Sequence, residues 1–226
     1  MIIGLDGDDT LWHSEREFAQ TQERYREIIS RWADHHTIER RLLDTERRNL
    51  EVLGYGVKSF TLAMVETAIE VSDGNIPASE IHEVIALGKE LLSHPVELID
   101  GVADTLDTLS RDHTLLLVTK GDLLHQETKL AASGLGELFW RIEIVSEKDV
   151  PTYERIMRRH EIERDNFVMV GNSVRSDVLP VLEIGAKAVH VPYHITWELE
   201  HAAVDDASFP TISTLRDLVS LVDNWS

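Results

Sequence analysis

The sequence predicts an α/β protein built on an open parallel β-sheet, with a helical insert after the first strand. Two observations support this fold class. In residues 95–191, short apolar runs alternate with amphipathic stretches of helix length, which is the pattern of βαβ units. In residues 14–94, apolar residues recur instead at helical steps of three, four and seven. We therefore expect an α/β core domain of residues 1–13 and 95–226 and a helical domain of residues 14–94.

The strands are expected where apolar runs end at polar residues. Residues 2–5 form a run that is apolar on both faces and stops at Asp6, as buried parallel strands do. Similar runs occupy residues 114–118, 142–145, 167–170 and 188–191. The amphipathic stretches that join these runs are expected to form helices on both faces of the sheet. They are residues 102–111, 123–133, 152–160 and 174–184.

The insert is expected to contain four helices. Phe18, Tyr25 and Trp32 lie on one face of the first helix, and the second ends near Gly54. The third and fourth helices are indicated by the apolar spacing of Phe60, Met64 and Ala68 and of Ile81, Ile85 and Leu92.

Composition excludes several classes of function. The chain has 226 residues and a formal net charge of −19, so nucleic-acid phosphates and anionic membrane surfaces would be repelled. It contains no cysteine, no apolar run that spans a bilayer and no signal-peptide pattern. His190, His194 and His201 lack the spacing of a zinc site, so residues 190–201 are expected to form a loop. We expect a cytoplasmic protein that binds neither nucleic acid nor membranes.

Residues that could carry chemistry begin at the end of the first strand. The segment Asp6-Gly7-Asp8-Asp9-Thr10 lies where open α/β sheets bind their ligands. Three carboxylates within four residues repel one another, and a cation would relieve that repulsion. If the chain turns at Gly7, Asp6 and Asp8 point to one crevice, where their oxygens suit Mg²⁺. Taken alone, the segment could equally be a solvated polar turn.

The later strands also end in polar residues. They place Thr119, Lys120, Lys148, Asn172 and Asp177 at the same edge of the sheet. A carboxylate nucleophile, a hydroxyl, a lysine and a cation are what phosphoryl transfer requires, since donors and positive charge stabilise the equatorial oxygens. Each residue alone could be a helix cap, a turn residue or a solvated lysine. Their coincidence at successive strand ends favours a site.

In this order the residues resemble the four sequence motifs of the haloacid dehalogenase superfamily. The resemblance covers essentially the whole chain. It implies a Rossmann-like, three-layer core, and it implies that the insert is a four-helix cap that closes over the active site. The residues that carry it are Asp6-x-Asp8-x-Thr10, Thr119, Lys148 and Gly171-Asn172 with Asp177.

The resemblance also implies an activity, that of a Mg²⁺-dependent phosphatase acting on a small-molecule phosphomonoester. Asp6 would be the nucleophile that forms an aspartyl-phosphate, and Asp8 would be the general acid and then the general base. The phosphoryl group would be bound by Gly7, Thr119, Lys120 and Lys148. Mg²⁺ would be held by Asp6, the backbone carbonyl of Asp8, Asn172 and Asp177.

Several alternatives stay open at this point. Lys120 competes with Lys148 as the active-site lysine, although the order of the motifs favours Lys148. Asn172 stands where the superfamily usually has Asp, which predicts weaker binding of Mg²⁺. Asp8 favours a phosphatase over a dehalogenase, because halide displacement needs no proton donor. A phosphomutase and a catalytically idle phospho-ligand-binding or switch protein are further alternatives.

Overall fold

The computed structural model describes residues 1–200 and 209–225, and the chain divides into two compact units. One unit contains Met1–Glu15 and the chain from Val96 onward, and the other contains Arg16–Pro95. The boundaries predicted from the sequence lie between residues 13 and 14 and between residues 94 and 95, within two residues of the observed ones. Residues 201–208 and 226 of the predicted core, His201 among them, lie outside the described residues.

A parallel five-stranded sheet runs through the first unit, in the order β3-β2-β1-β4-β5. The first strand is central, and its residue Ile2 aligns with Thr114 on one side and Phe167 on the other. The predicted parallel α/β fold is therefore confirmed. The strands are β1 (Ile2–Leu5), β2 (Thr114–Lys120), β3 (Phe139–Val145), β4 (Phe167–Gly171) and β5 (Lys187–His190).

Helices cover both faces of this sheet, because successive strand residues point to opposite sides. Ile3 and Leu5 of β1 pack in one buried cluster, and Leu116 of β2 packs in the other. The result is the three-layer, Rossmann-like arrangement that the resemblance implied. The helices of this unit are α5 (Val102–Leu109), α6 (Leu123–Ser133), α7 (Val150–His160), α8 (Leu179–Glu183) and α9 (Asp217–Asp223).

The segment after β4 differs from the prediction of one helix over residues 174–184. The structure has a π-helical turn, Val174–Val178, followed by the short helix α8. The Ser173 hydroxyl accepts a hydrogen bond from the Ser176 amide at 3.1 Å, and the Asp177 carboxylate accepts one from the Ser173 amide at 3.0 Å. These two hydrogen bonds keep the Asp177 carboxylate close to the end of β4. A regular helix over the same residues would place it farther from the strand.

The second unit is the helical insert. Its buried core includes Tyr25, Ile38, Phe60, Met64 and Val84, which are drawn from all of its helices. Among the helices of residues 1–200 and 209–225, none combines the length and hydrophobicity needed to cross a membrane. The four helices that form the insert are α1 (Glu15–Ile29), α2 (His35–Leu53), α3 (Val57–Val71) and α4 (Ala78–Leu92).

Candidate active site

Lys148 joins two carboxylates at the carboxyl edge of the sheet. Asp6 directly follows β1, Asp177 lies in the turn after β4, and Lys148 precedes α7. The Lys148 ammonium donates to Asp6 Oδ1 and, at 2.7 Å, to Asp177 Oδ1. All three side chains are buried, with at most 9% of each exposed. Three separate chain segments therefore converge on one lysine.

Burial and the neighbouring charges act against each other in this cluster. Burial raises the pKa of Asp6 to about 7; Lys148 acts against this shift, and the nearby Asp177 charge adds to it. Burial also lowers the pKa of Lys148, but the Asp177 and Asp6 carboxylates outweigh it and raise that pKa above its usual value. Two carboxylates share one ammonium, so the cluster can accommodate a further positive charge.

Thr10 links Asp6 to Asn172. The Thr10 hydroxyl lies 3.4 Å from both Asp6 Oδ2 and Asn172 Oδ1. It also accepts a hydrogen bond from the backbone N–H of Asn172 at 3.1 Å. Gly171 precedes Asn172, and a Cβ atom on Gly171 would overlap the Asp177 carboxylate. The absence of a side chain at residue 171 is therefore what allows Asp177 to approach the strand end.

Asp8 lies in a different environment from Asp6. Its carboxylate accepts hydrogen bonds from Lys129 Nζ at 2.5 Å, Trp12 Nε1 at 2.6 Å and Gln126 Nε2 at 2.9 Å. Burial raises the pKa of Asp8, but the charge and hydrogen bond of Lys129 and the two neutral donors bring it below its ordinary value. Asp8 is thus stabilised as a carboxylate.

Gly7 separates Asp6 from Asp8 in the chain, and the Thr119 side chain lies close to it. Thr119 is in the last part of β2 and is 1% exposed. A Cβ atom on Gly7 would lie 2.8 Å from the Trp12 ring and 3.2 Å from Thr119 Oγ1. A side chain at residue 7 would therefore displace the Trp12 ring and crowd Thr119. Gln126 Nε2 also lies 3.2 Å from Thr119 Oγ1 and so connects that hydroxyl to Asp8.

Lys120, the second candidate lysine, has different partners from Lys148. Its ammonium donates to Glu200 Oε1 at 2.6 Å and to Ser176 Oγ at 2.9 Å, and it lies 3.3 Å from Glu147. Asp6 is paired with Lys148. The two lysines lie near each other, since Lys120 bonds Ser176 and Lys148 bonds the adjacent Asp177.

Sequence reasoning missed Glu200. The second oxygen of its carboxylate accepts hydrogen bonds from the hydroxyls of Ser173 at 2.5 Å and Ser176 at 2.7 Å. Burial raises the pKa of Glu200, but Lys120 and the two serines bring it below its ordinary value. A single glutamate in an irregular segment carries no periodic signal that would have identified it.

Gln126 and Lys129 were missed as well, although a signal for them existed. They are three residues apart in α6, and both are buried, at 3% and 8% exposed. Polar residues on the buried face of an amphipathic helix usually have a polar partner in the interior. For Gln126 and Lys129 that partner is the Asp8 carboxylate.

Asp9 is the third carboxylate of the first motif, and it has a role in the backbone. It adopts a left-handed conformation, with φ of 60°, and its carboxylate accepts hydrogen bonds from the amides of Ser14 and Glu15. Burial, together with the charges of Asp8 and Glu15, raises its pKa to about 8 against these two hydrogen bonds. Asp9 thus fixes the start of α1.

Of the residues predicted to bind a metal, Asp6 and Asp177 lie together on the Lys148 ammonium. Within residues 1–200 and 209–225, no three Asp, Glu, His or Cys side chains converge into a ready-made metal cluster. The donors of Asp6, Asn172 and Asp177 are nevertheless all oxygens, and Lys148 neutralises only one of the two buried carboxylates. Mg²⁺ uses few protein ligands and keeps several waters, so this donor set fits it.

Comparison with known proteins identifies the family. A family model described as a haloacid dehalogenase-like hydrolase matches residues 1–185. The chain belongs to this family. A search among curated proteins found no match.

Solved structures agree with this assignment. A haloacid dehalogenase-like family hydrolase from Xanthomonas campestris is 40% identical, covers 100% of this chain and 91% of its own, and has a TM-score of 0.89. A HAD hydrolase from Bacillus subtilis, bound to magnesium, is 16% identical with 98% of each chain covered and a TM-score of 0.70. An L-2-haloacid dehalogenase from Xanthobacter autotrophicus is 14% identical, with 100% and 99% covered and a TM-score of 0.67. The last two similarities concern the fold, which a magnesium-bound hydrolase and a dehalogenase share.

Proposed function

We propose that this HAD-like hydrolase is a Mg²⁺-dependent phosphatase that hydrolyses a small-molecule phosphomonoester through an aspartyl-phosphate on Asp6. The observation that supports the proposal most is the buried cluster of Asp6, Lys148 and Asp177 beside Thr119 and Asp8. It combines a carboxylate nucleophile, a positive charge and a hydroxyl donor at one edge of the sheet. Phosphoryl transfer depends on such positioning and on electrostatic stabilisation of the equatorial oxygens.

In the proposed first step, a carboxylate oxygen of Asp6 attacks phosphorus, and the bond from phosphorus to the leaving oxygen breaks. Asp8 in its protonated form gives its proton to that oxygen, so the product leaves as an alcohol. Lys148 and Thr119 donate to the oxygens of the transferring group. In the second step Asp8 takes a proton from a water that attacks phosphorus, which releases inorganic phosphate and restores both carboxyl groups.

Mg²⁺, when bound, would supply positive charge next to the nucleophile and the transferring group. Asp6, Asp177, Asn172 and the backbone carbonyl of Asp8 would hold it. Because Asp6 has a pKa of about 7 through burial, added positive charge would favour the ionised form that attacks phosphorus.

Asp8 supports a phosphatase over a dehalogenase. A halide leaves without a proton, so a dehalogenase has no use for an acid two residues after its nucleophile. Here Asp8 is held by three hydrogen-bond donors, two of which, Lys129 and Gln126, come from a separate helix. Three hydrogen bonds to one carboxylate fix its orientation, as expected for a residue that takes part in the reaction.

The proposal is tested by hydrolysis of p-nitrophenyl phosphate by the purified protein, with Mg²⁺ and with chelator, for the wild type, D6N and the exposed control D104N. We expect metal-dependent turnover in the wild type and D104N, and loss of at least about 10³-fold in D6N, which lacks the nucleophile. Mass spectrometry after rapid acid quenching should find one added phosphate on the peptide that contains Asp6. Metal-independent release of halide from a 2-haloacid, without phosphatase activity, would overturn the proposal.

A further inference from the structure

The two oxygens of the Asp8 carboxylate have different partners. Oδ1 accepts from Lys129 Nζ at 2.5 Å and from Trp12 Nε1 at 2.6 Å. Oδ2 accepts from Gln126 Nε2 at 2.9 Å. We infer that Lys129 is a positioning residue, which with Trp12 holds Oδ1 and leaves Oδ2 to exchange protons with the substrate. This inference rests on the proposed function, in which Asp8 is the general acid and base.

The direction of Oδ2 follows from the contacts of Gln126. The same amide nitrogen lies 3.2 Å from Thr119 Oγ1 and 2.5 Å from the backbone carbonyl oxygen of Lys120. Oδ2 and the Thr119 hydroxyl, a proposed donor to the phosphoryl group, therefore lie around one nitrogen. Oδ1 is instead bonded to Lys129 and Trp12.

The groups that hold Asp8 are fixed in place. Trp12 is fully buried, and Gln126 and Lys129 are 3% and 8% exposed. Gln126 and Lys129 are three residues apart in α6 and so lie on the same side of the helix. The Asp8 side chain itself is 31% exposed, more than any of its three donors. A part-exposed carboxylate fixed by buried donors is preorganised for proton transfer.

Kinetics separate this role from a purely structural ion pair. The variants are K129M, K129R, D8N and D8N/K129M, with the exposed K89M of α4 as the matched control. Each is assayed at saturating Mg²⁺ with p-nitrophenyl phosphate, whose leaving group needs little protonation, and with an alkyl phosphate such as glycerol phosphate, whose leaving group needs a proton.

We expect K129M to lower kcat for the alkyl phosphate by about 10- to 100-fold, the scale of a mispositioned catalytic group, with a smaller loss for the aryl phosphate. KM should stay within about threefold, because ground-state binding of the substrate does not use the Asp8 carboxylate. K129R should recover most of the loss, and K89M should match the wild type. D8N/K129M should be no slower than D8N, since Lys129 acts through Asp8. Equal losses with both substrates, or losses that add to those of D8N, would overturn the inference.

A second measurement does not depend on turnover. Trp12 Nε1 donates to the same oxygen as Lys129, so its indole N–H resonance in a ¹H–¹⁵N spectrum reports the position of Asp8. We expect this resonance to move in D8N and in K129M and to stay in place in K89M. If the wild type hydrolyses no phosphomonoester, the proposed function is wrong. The Trp12 resonance still shows in that case whether Lys129 positions the Asp8 carboxylate. A resonance that moves in D8N but not in K129M would contradict the positioning role. Should K129M fail to fold, K129Q takes its place in both experiments.

Discussion

Asp6 and Asp8 are two residues apart in one loop, yet their carboxylates lie in opposite environments. Asp6 shares the buried ammonium of Lys148 with a second carboxylate, Asp177, and burial raises its pKa to about 7. Asp8 accepts from three donors, Lys129 among them, and they outweigh the desolvation of its part-buried carboxylate and lower its pKa. The Asp6 cluster has too little positive charge for its carboxylates, whereas Asp8 has a full set of donors.

This difference indicates what each carboxylate needs before it can react. Environments that push the pKa values of neighbouring acids apart assign them different roles. In the proposed reaction, Asp6 must be ionised to attack phosphorus, and an added cation would provide this. Asp8 would have to receive a proton before it could donate one, although it is already in the state that a general base requires. In the proposed reaction, the need for a cation would thus belong to Asp6 and the supply of a proton to Asp8.

The substitution with the largest expected effect removes Lys148 from the cluster that it forms with Asp6 and Asp177. K148M leaves Asp6 and Asp177 buried together without a counter-charge. We expect a loss of about 3–5 kcal/mol in the free energy of unfolding at pH 8, measured by urea denaturation. The exposed control K89M should unfold like the wild type, and the double variant K148M/D177N should recover part of the loss. Unchanged stability of K148M would show that the two carboxylates are not buried together.

Asp9 extends the comparison to the third carboxylate of the motif. Its pKa is about 8 in the folded protein and near 3.8 when unfolded, so the folded state binds the extra proton between these pH values. The contribution of Asp9 to stability therefore falls as pH rises from about 4 to 8, by up to about 1.4 kcal/mol per pH unit for one proton. Asn keeps the acceptor and tolerates the left-handed backbone.

The corresponding variant is D9N. We expect it to be more stable than the wild type at pH 8, with the difference shrinking as the pH falls toward 5. Chemical denaturation across this pH range measures it, with D104N as the control for loss of one surface charge. Parallel stability profiles for D9N and the wild type would contradict the raised pKa.

Asn172 offers a way to sharpen the account of the Asp6 cluster. It lies against the Thr10 hydroxyl that also contacts Asp6, and Asp in its place would add a negative charge there. We expect N172D to bind Mg²⁺ about tenfold more tightly, which corresponds to about 1.4 kcal/mol of added attraction. Isothermal titration of Mg²⁺ into wild type, N172D and D104N tests this directly. Equal or weaker affinity of N172D would count against a metal at this position.

The smallest expected effect concerns the helix next to Lys148. Asp149 caps α7, and its carboxylate accepts a hydrogen bond from the Thr152 amide at 2.9 Å. D149A should cost about 1 kcal/mol of stability, as loss of an N-cap usually does. Thermal denaturation measures it, with D104A as the matched control. A cost no larger than that of D104A would mean that the cap does not stabilise α7.

The sequence alone predicted the sheet, the insert and the strand ends, because each depends on local apolar patterns. It did not predict that residues 174–184 would split, since that break comes from hydrogen bonds among Ser173, Ser176 and Asp177. Helix α9 was also missed, although Leu218 and Val222 have helical spacing and are buried.

The candidate site was predictable as a set of residues but not as a set of pairings. Asp6, Lys148 and Asp177 were placed at one edge of the sheet from their positions after strands. Which lysine meets which carboxylate depends on side-chain reach across the fold, so the partners of Lys120 could not be assigned from sequence. The same holds for Lys129, whose contact with Asp8 joins residues 121 positions apart in the chain.

The most direct test of the opposed environments is a pH titration of the aspartate carboxyl carbons by NMR, without metal. Protein labelled with ¹³C at the aspartate carboxyl carbons would be used, and D6N and D8N would assign the two resonances. We predict that Asp6 titrates near pH 7 and Asp8 below pH 3.8, its ordinary value. Addition of Mg²⁺ should then lower the midpoint of Asp6. A midpoint for Asp8 above that of Asp6 would contradict the account.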